Sequence, residues 1–145
     1  MKPTKLYVRE GRRFVEAADC TGYYLNDDGS IVKQRTEESI AICVLHKVSE
    51  MVFCELNNNP PALTWNKAKE YCSKKFFGNG RLPEIHELLT AINLFPNLFP
   101  ESGFVWSNTE CSYNTARTLY LDLGLVDYYT KANYYRVFAF LTVEL

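Results

Sequence analysis

"LTWNKAKEYCSKKFFGNGRLPEIHELL", Leu63 to Leu89, carries the helical signals of a chain that reads as strands on either side. In its first half, Trp65, Ala68, Cys72 and Phe76 recur at i, i+3, i+7 and i+11. That spacing lines one apolar stripe of a helix. Lys67, Lys69, Glu70 and Lys74 fall on the solvated side. Thr64 stands where a hydroxyl accepts from an orphan N–H of the first turn, and Gly78 and Gly80 are expected to stop the helix. A second helix is expected from near Pro83, since proline's missing N–H matters least in a first turn. Glu84 and Glu87 suit the positive end of the helix dipole. Ile85, Leu88, Leu89 and Ile92 form the expected buried face. His86, between charged positions, reads as an exposed helix residue rather than a catalytic base.

The flanks follow a two-residue repeat. Upstream, "GYYLNDDGSIV" (Gly22–Val32) sets aromatic and β-branched residues around Asn-Asp-Asp-Gly, a hairpin signature. "IAICVLH" (Ile40–His46) and "MVFCEL" (Met51–Leu56) follow, separated by Lys47–Glu50. If that segment is a symmetric hairpin loop, Cys43 lies opposite Cys54. Such a pair is either a cross-strand bridge or two small apolar residues packed on one face. Pro60-Pro61 ends the strands, because proline cannot pair in a central ladder. Downstream, "LYLDLGL" alternates, with Leu119, Leu121, Leu123 and Leu125 on one expected face and Tyr120, Asp122 and Gly124 on the other. "VDYYT" and "YYRVFAFLTV" continue the strand pattern, broken at Lys131-Ala132-Asn133. Strands, two helices, then strands predict an α+β fold with antiparallel sheets rather than a βαβ nucleotide binder. No Gly-rich phosphate loop is present.

Bulk properties narrow the function classes. A chain of 145 residues, 47% hydrophobic and 23% charged, fits one globular domain and argues against disorder. A formal net charge of -1 gives no broad basic bias for nucleic acid. No apolar run approaches the ~20 residues of a membrane span, so no membrane insertion is expected. The N-terminus has the charge of a signal peptide without its apolar region. Either the chain is made without export, or an export signal has been removed. The five cysteines are an odd number with no C-x-x-C pair, and His46 and His86 lie far apart. This argues against a complete disulfide framework and against a zinc site of the usual spacing. The thiols are expected to be mostly reduced and packed.

Four motifs in order point to a family: "LTWNKAKEYC" (Leu63–Cys72), "GRLPEIHELL" (Gly80–Leu89), "VWSNTE" (Val105–Glu110) and "ARTLYLDLG…VDYYTKANYYRVFAFL" (Ala116–Leu141). Together they resemble the bacterial and phage branch of the C-type-lectin-like fold. More narrowly, they resemble a family of unknown function that reads W-x-x-A-x-x-x-C, W-R-L-P-T-x-x-E-L and W-S-S-T-E. The resemblance runs from Gly22 to Leu145 and implies an N-terminal arm over 1–21 and a single C-type-lectin-like domain over 22–145. It makes Trp65, Leu82, Pro83, Trp106 and Arg136 packing and anchoring residues. The chain departs from the pattern in three places. Asn79-Gly80 replaces the Trp before Arg-Leu-Pro. Glu84 replaces the usual Thr, so a carboxylate must serve the helix start. The last strand lacks a cysteine to partner Cys72.

What the resemblance implies for function follows from these positions. Calcium-dependent lectins ligate the metal through Asn-Asp after the Trp and a Glu-Pro-Asn-type loop. Here Ser107 and Asn108 follow Trp106, and "FPES" (Phe99–Ser102) offers only Glu101, short of the six to eight oxygens calcium takes. No metal or other cofactor is therefore expected. Formylglycine-generating oxidases, distantly similar, need a paired-cysteine centre near the C-terminus, and no such pair follows Cys111. The expectation is a non-enzyme.

Related binders of the fold present their contacts from the last third. There this chain holds Asn108, Glu110, Ser112, Tyr113 and Asn114, then Tyr128, Tyr129, Lys131, Asn133, Tyr134 and Tyr135. Tyr with Asn and Ser is the composition of adaptable recognition surfaces. The expected function is a calcium-independent recognition or display module of an extracellular assembly. A phage virion surface is preferred to a bacterial envelope adhesin. The expected partners are a protein or glycan surface ligand, neighbouring copies and other structural proteins. The alternative is a purely structural assembly protein whose basic arm, Lys2 to Arg13, docks on a neighbour.

Overall fold

The computed structural model describes residues 6–10 and 13–17 as backbone and residues 19–145 in full. Among the described residues, twelve strands and two α-helices form an α+β architecture of two sheets, mostly antiparallel. The chain divides into two compact units, Met1–Leu56 with Thr142–Leu145, and Asn57–Leu141. Among the described residues no helix is long and apolar enough to cross a membrane.

The first unit carries β1 (Leu6–Glu10), β2 (Arg13–Ala17), β3 (Tyr24–Asn26), β4 (Ile31–Val32), β5 (Ser39–His46) and β6 (Glu50–Glu55). With β12 (Phe140–Glu144) they make a seven-stranded sheet of order β12-β6-β5-β3-β4-β1-β2. Much of the expected arm, Lys2 included, lies outside the described residues. Of the rest, β1 and β2 pair as an antiparallel hairpin. The Asn-Asp-Asp-Gly turn joins β3 to β4 as the sequence predicts, with Gly29 at φ +86°. The central strands β5 and β6 are buried in runs rather than alternately, as Ala41 to Val44 and Met51 to Cys54 show.

The two cysteines on these strands are not opposed. The ladder sets Ile42 against Cys54 and Cys43 against Phe53, with a bulge between Cys43 and Leu45. The expected symmetric register fails at that bulge. A slip of one residue turns Cys43 and Cys54 to opposite faces, where no bridge can form. Both are free thiols. Burial pushes the Cys43 thiol up to about 12 and holds Cys54 well above the ordinary range, so both stay protonated.

The second unit holds β7 (Ala62–Leu63), α1 (Trp65–Ser73), α2 (Ile85–Leu94), β8 (Phe104–Glu110), β9 (Thr115–Tyr120), β10 (Leu125–Thr130) and β11 (Tyr135–Arg136). Its five-stranded sheet runs β10-β9-β8-β11-β7. In α1, Trp65, Ala68 and Cys72 are buried as expected, and Phe76 lies beyond the helix, half-buried. Two expectations fail here. The helix stops at Ser73, before either glycine, and Thr64 occupies the cap position without a side-chain cap bond. The start of α1 is held instead by the Trp65 N–H donating to the Lys131 carbonyl at 3.0 Å.

In α2 the buried face is Glu87, Leu88 and Ala91, while Ile85, Leu89 and Ile92 are only half-buried. The helix is rotated from the expected face because a charge is satisfied inside. Arg81 Nη1 and Nη2 meet the two Glu87 carboxylate oxygens at 2.7 and 2.8 Å. The other end of the unit corrects the leucine alternation. The β9 strand ends at Tyr120, and a turn with Gly124 at φ +66° reverses the chain so that Leu125 faces Tyr120. Leu119 and Leu121 are buried, but Leu123 is 69% and Leu125 56% exposed.

The core of this unit gathers Trp65, Ala68, Cys72, Leu82, Trp106, Ala116, Val137 and Ala139. Each indole N–H is satisfied on burial: Trp65 Nε1 donates to the Ser107 carbonyl at 2.9 Å and Trp106 Nε1 to the Leu63 carbonyl at 2.8 Å. Arg136 Nη1 donates to the Pro60 carbonyl at 2.8 Å. These are the packing and anchoring roles expected of Trp65, Leu82, Trp106 and Arg136.

Candidate functional site

Side chains alternate across a strand, so the register decides which residues share a face. Phe104 lies opposite Tyr120, and Tyr120 opposite Leu125. In the next row Trp106 faces Thr118 and Thr118 faces Asp127, then Ala116 faces Tyr129. Phe104, Trp106, Thr118, Tyr120, Asp127 and Tyr129 therefore stand on one face of the five-stranded sheet. Tyr135, from β11, joins them through ring contacts.

The rings form a continuous cluster. Phe104 stacks on Tyr120 at 4.7 Å between centroids and meets Tyr129 edge-on at 4.9 Å. Tyr135 touches Phe104 at 5.0 Å, Trp106 at 5.1 Å and Tyr129 at 5.3 Å. These are the offset and edge-to-face separations that aromatic quadrupoles favour. Trp106 is fully buried and serves as the floor, while Phe104, Tyr120, Tyr129 and Tyr135 are half-buried.

Polar groups are set around the rings. Asn133 Nδ2 donates to the Tyr135 hydroxyl at 3.4 Å. The Asp127 carboxylate accepts the Tyr128 backbone N–H at 2.8 Å. Burial, then the charge of Asp127, raises the Tyr129 pKa, while burial and the neighbouring Tyr129 raise that of Tyr135. Both phenols stay protonated at neutral pH and act as hydroxyl donors and acceptors. Thr118, in the row between Trp106 and Asp127, is fully buried, and its hydroxyl has no hydrogen-bond partner among the described residues. Beside the cluster an open cleft of about 350 Å³ is lined by Ala62, Ser102, Gly103, Phe104, Tyr134, Tyr135 and Arg136.

The residues expected from the sequence fall into separate places. Tyr129, Asn133 and Tyr135 belong to the aromatic face, and Tyr134, 70% exposed, lines the cleft. Tyr128 points to the opposite face, where the Arg117 guanidinium lies 5.8 Å from its ring. Glu110, Tyr113, Asn114 and Lys131 make a latch. Lys131 Nζ bonds the Glu110 carboxylate at 2.8 Å and the Tyr113 carbonyl at 2.9 Å, and lies 4.2 Å from the Trp65 ring centroid. The Lys131 N–H donates to the Asn114 carbonyl at 2.8 Å. The Lys131 bond holds the Glu110 carboxyl below its ordinary range. The latch ties the β8–β9 turn to the start of α1.

Asn108 has a third role. The β8 ladder is interrupted between Trp106 and Glu110, which swings Asn108 and Thr109 towards α2. Asn108 Nδ2 and the Thr109 hydroxyl donate to the two Glu84 carboxylate oxygens at 3.0 Å each, and Thr109 Oγ1 accepts the Ile85 N–H. The Glu84 carboxylate at this helix start is thus held from β8. Among the described residues no cluster of His, Cys, Asp and Glu is arranged to hold a metal ion.

Sequence reading missed Phe104, Tyr120 and Asp127. Tyr120 and Asp127 lie in stretches read as strands, and Phe104 lies just before the Val105–Glu110 motif. Only the cross-strand register, set by the Leu121–Gly124 turn, brings them beside Tyr129 and Tyr135.

No protein-family model matches the chain, and a search of curated proteins finds no significant match.

Proposed function

We propose that this chain is a non-enzymatic recognition module on a C-type-lectin-like scaffold, which holds a glycan on the aromatic face without calcium. The observation that carries this reading is the set of half-buried rings, Phe104, Tyr120, Tyr129 and Tyr135, packed side by side next to an open cleft. A sugar ring offers C–H groups to the negative faces of such rings, and its hydroxyls need donors and acceptors at the edge. Asp127, Asn133 and the two phenols supply them. Ligand sites pair apolar walls with a few fixed polar groups in this way. The ordered motifs from Leu63 to Leu141 support the scaffold assignment. Its setting in this reading is the surface of an assembly, a phage virion in preference to a bacterial envelope.

A glycan array tests the proposal. Binding by the parent chain, lost in Tyr129→Ala and Tyr135→Ala and retained in Tyr128→Ala on the opposite face, is the expected pattern. Equal binding by all of them, or an array silent for the parent, removes the glycan reading.

A further inference from the structure

The five-stranded sheet has two edges of different character. One is β7, two residues long and preceded by Pro60-Pro61. Short length and proline are common protections of an edge. The other is β10, six residues with no proline or lysine, in unbroken register with β9. Hydrogen bonds alternate in direction along such a strand. Just past its end the Lys131 N–H donates to the Asn114 carbonyl, and before its start the Gly124 N–H donates to the Tyr120 carbonyl, both at 2.8 Å. By that parity Leu125, Asp127 and Tyr129 bond towards β9, and Val126, Tyr128 and Thr130 turn their backbone groups outwards. Some of these are used locally. The Tyr128 N–H donates to Asp127 at 2.8 Å, and the Thr130 carbonyl accepts the Asn133 N–H at 3.1 Å. The Val126 N–H and carbonyl, the Tyr128 carbonyl and the Thr130 N–H have no protein partner among the described residues. Leu125, Val126 and Tyr128 are 56%, 41% and 55% exposed, so the edge is open and largely apolar.

A row of unmet backbone groups fits another extended strand, and β10 matches its own copy. With Tyr128 opposite Tyr128, outward groups meet outward groups. The two Tyr128 residues exchange N–H···O=C bonds, and Val126 and Thr130 do so on either side, the Thr130 carbonyl using its second lone pair. Side chains agree in the same register. Asp127 stands opposite Tyr129, whose phenol has a raised pKa and keeps a proton to donate to the carboxylate. The register centred on Asp127 instead sets two carboxylates directly opposite, which is unfavourable. We propose that β10 pairs antiparallel with β10 of a second copy about a two-fold axis at Tyr128. Asp127 passes from the Tyr128 N–H to the second copy's Tyr129, so it caps the edge in the single chain and joins it in the pair. The axis is perpendicular to the sheet, which puts both aromatic faces on one side. A ligand of repeated units can then span them and gain avidity without a new contact. The pairing itself needs no ligand. A contact of one strand belongs to the small, weak class of interfaces.

Sedimentation velocity on the full chain, in reducing buffer across a wide concentration range, tests this. The parent is expected to dimerise reversibly. Tyr128→Pro is expected to weaken the dimer about tenfold or more, since it deletes both central donors. An outward position on an edge strand tolerates proline, so the β9–β10 ladder and the thermal melt should be kept. Val126→Lys sets a charge on the same edge and should also weaken the dimer. In a Cys111→Ser background, Tyr128→Cys should cross-link into a dimer on mild oxidation. Residues of a hydrogen-bonded antiparallel pair have Cα atoms about 5.5 Å apart, within disulfide reach. A parent that stays monomeric throughout overturns the proposal. So does unchanged association in a folded Tyr128→Pro or in Val126→Lys, or the absence of a cross-link in Tyr128→Cys.

Discussion

Replacing Arg81 by Met should destabilise the fold strongly at neutral pH and progressively less in acid. The Glu87 side chain is only 7% exposed, and both its oxygens are held by Arg81, at 2.7 and 2.8 Å. Its Oε1 also accepts the Glu84 N–H at 2.8 Å. Removing the guanidinium leaves a buried carboxylate with one backbone donor. Stranding one partner of a buried pair costs about 3–5 kcal/mol, and Arg81 is itself a third exposed, so the lower end applies. About 3 kcal/mol corresponds to a fall of about 6–12 °C in Tm for a chain of this size.

The pH dependence separates this cause from lost packing. Burial alone would raise the Glu87 pKa, but the Arg81 bonds and the Glu84 N–H outweigh it and lower the pKa below its ordinary value of 4.5. A lowered folded pKa adds stability above the unfolded value, and that stability is lost as pH falls through the folded pKa. The parent should therefore lose Tm below about pH 4.5. In Arg81→Met the stranded carboxylate takes up a proton more readily, so the gap between the two proteins should close towards acid. Arg81→Met/Glu87→Met should recover more than half of the loss at neutral pH. Thermal melts by circular dichroism from pH 3 to 8 read all of this. A gap that stays constant with pH, or a double variant no better than the single, would refute the argument.

Three further predictions concern particular parts of the structure. Leu119→Ala should cost about 2–5 kcal/mol in urea unfolding and Leu123→Ala less than about 0.5, since the hairpin turn buries one and exposes the other. Equal costs would restore a single alternating strand. A thiol reagent should modify Cys111 rapidly in the native protein and the other four of the five cysteines only after unfolding, because those four are buried free thiols. Fewer than five thiols in the unfolded, unreduced protein would indicate a bridge. Lys131→Met should speed amide exchange at Ser112–Asn114, because it removes the ammonium bonds to the Tyr113 carbonyl and the Glu110 carboxylate, and unchanged exchange would contradict the latch.

How far the sequence reached depended on which physical rule ruled locally. The first helix was readable because Trp65, Ala68 and Cys72 bury on one uninterrupted stripe. The second was rotated because Arg81 satisfies an inward Glu87, and apolar periodicity does not anticipate a buried carboxylate. The Cys43–Cys54 register failed at a bulge, which no residue near Lys47–Glu50 announces. The leucine repeat runs through a turn marked by Gly124, which strict alternation reads as a strand position. The candidate site suffered most from parity. Tyr128 and Tyr129 are neighbours in sequence but occupy opposite faces, and Lys131 and Glu110 are consumed in holding a loop. A composition rich in Tyr and Asn pointed to the last third of the chain, where the ring cluster lies. It could not say which rings meet, because Phe104 and Tyr120 join the cluster only through cross-strand pairing.

The central claim is that one sheet face, and not the tyrosine-rich segment as a whole, holds the ligand. Amide and aromatic-ring NMR shifts, followed while titrating an oligosaccharide that the array selects, test it most directly. The account predicts saturable shifts at Phe104, Tyr120, Asp127, Tyr129 and Tyr135, with Tyr128 and Arg117 on the opposite face unmoved. Shifts centred on Tyr128 and Arg117, or on the Glu110–Asn114 turn with the ring cluster silent, would contradict it.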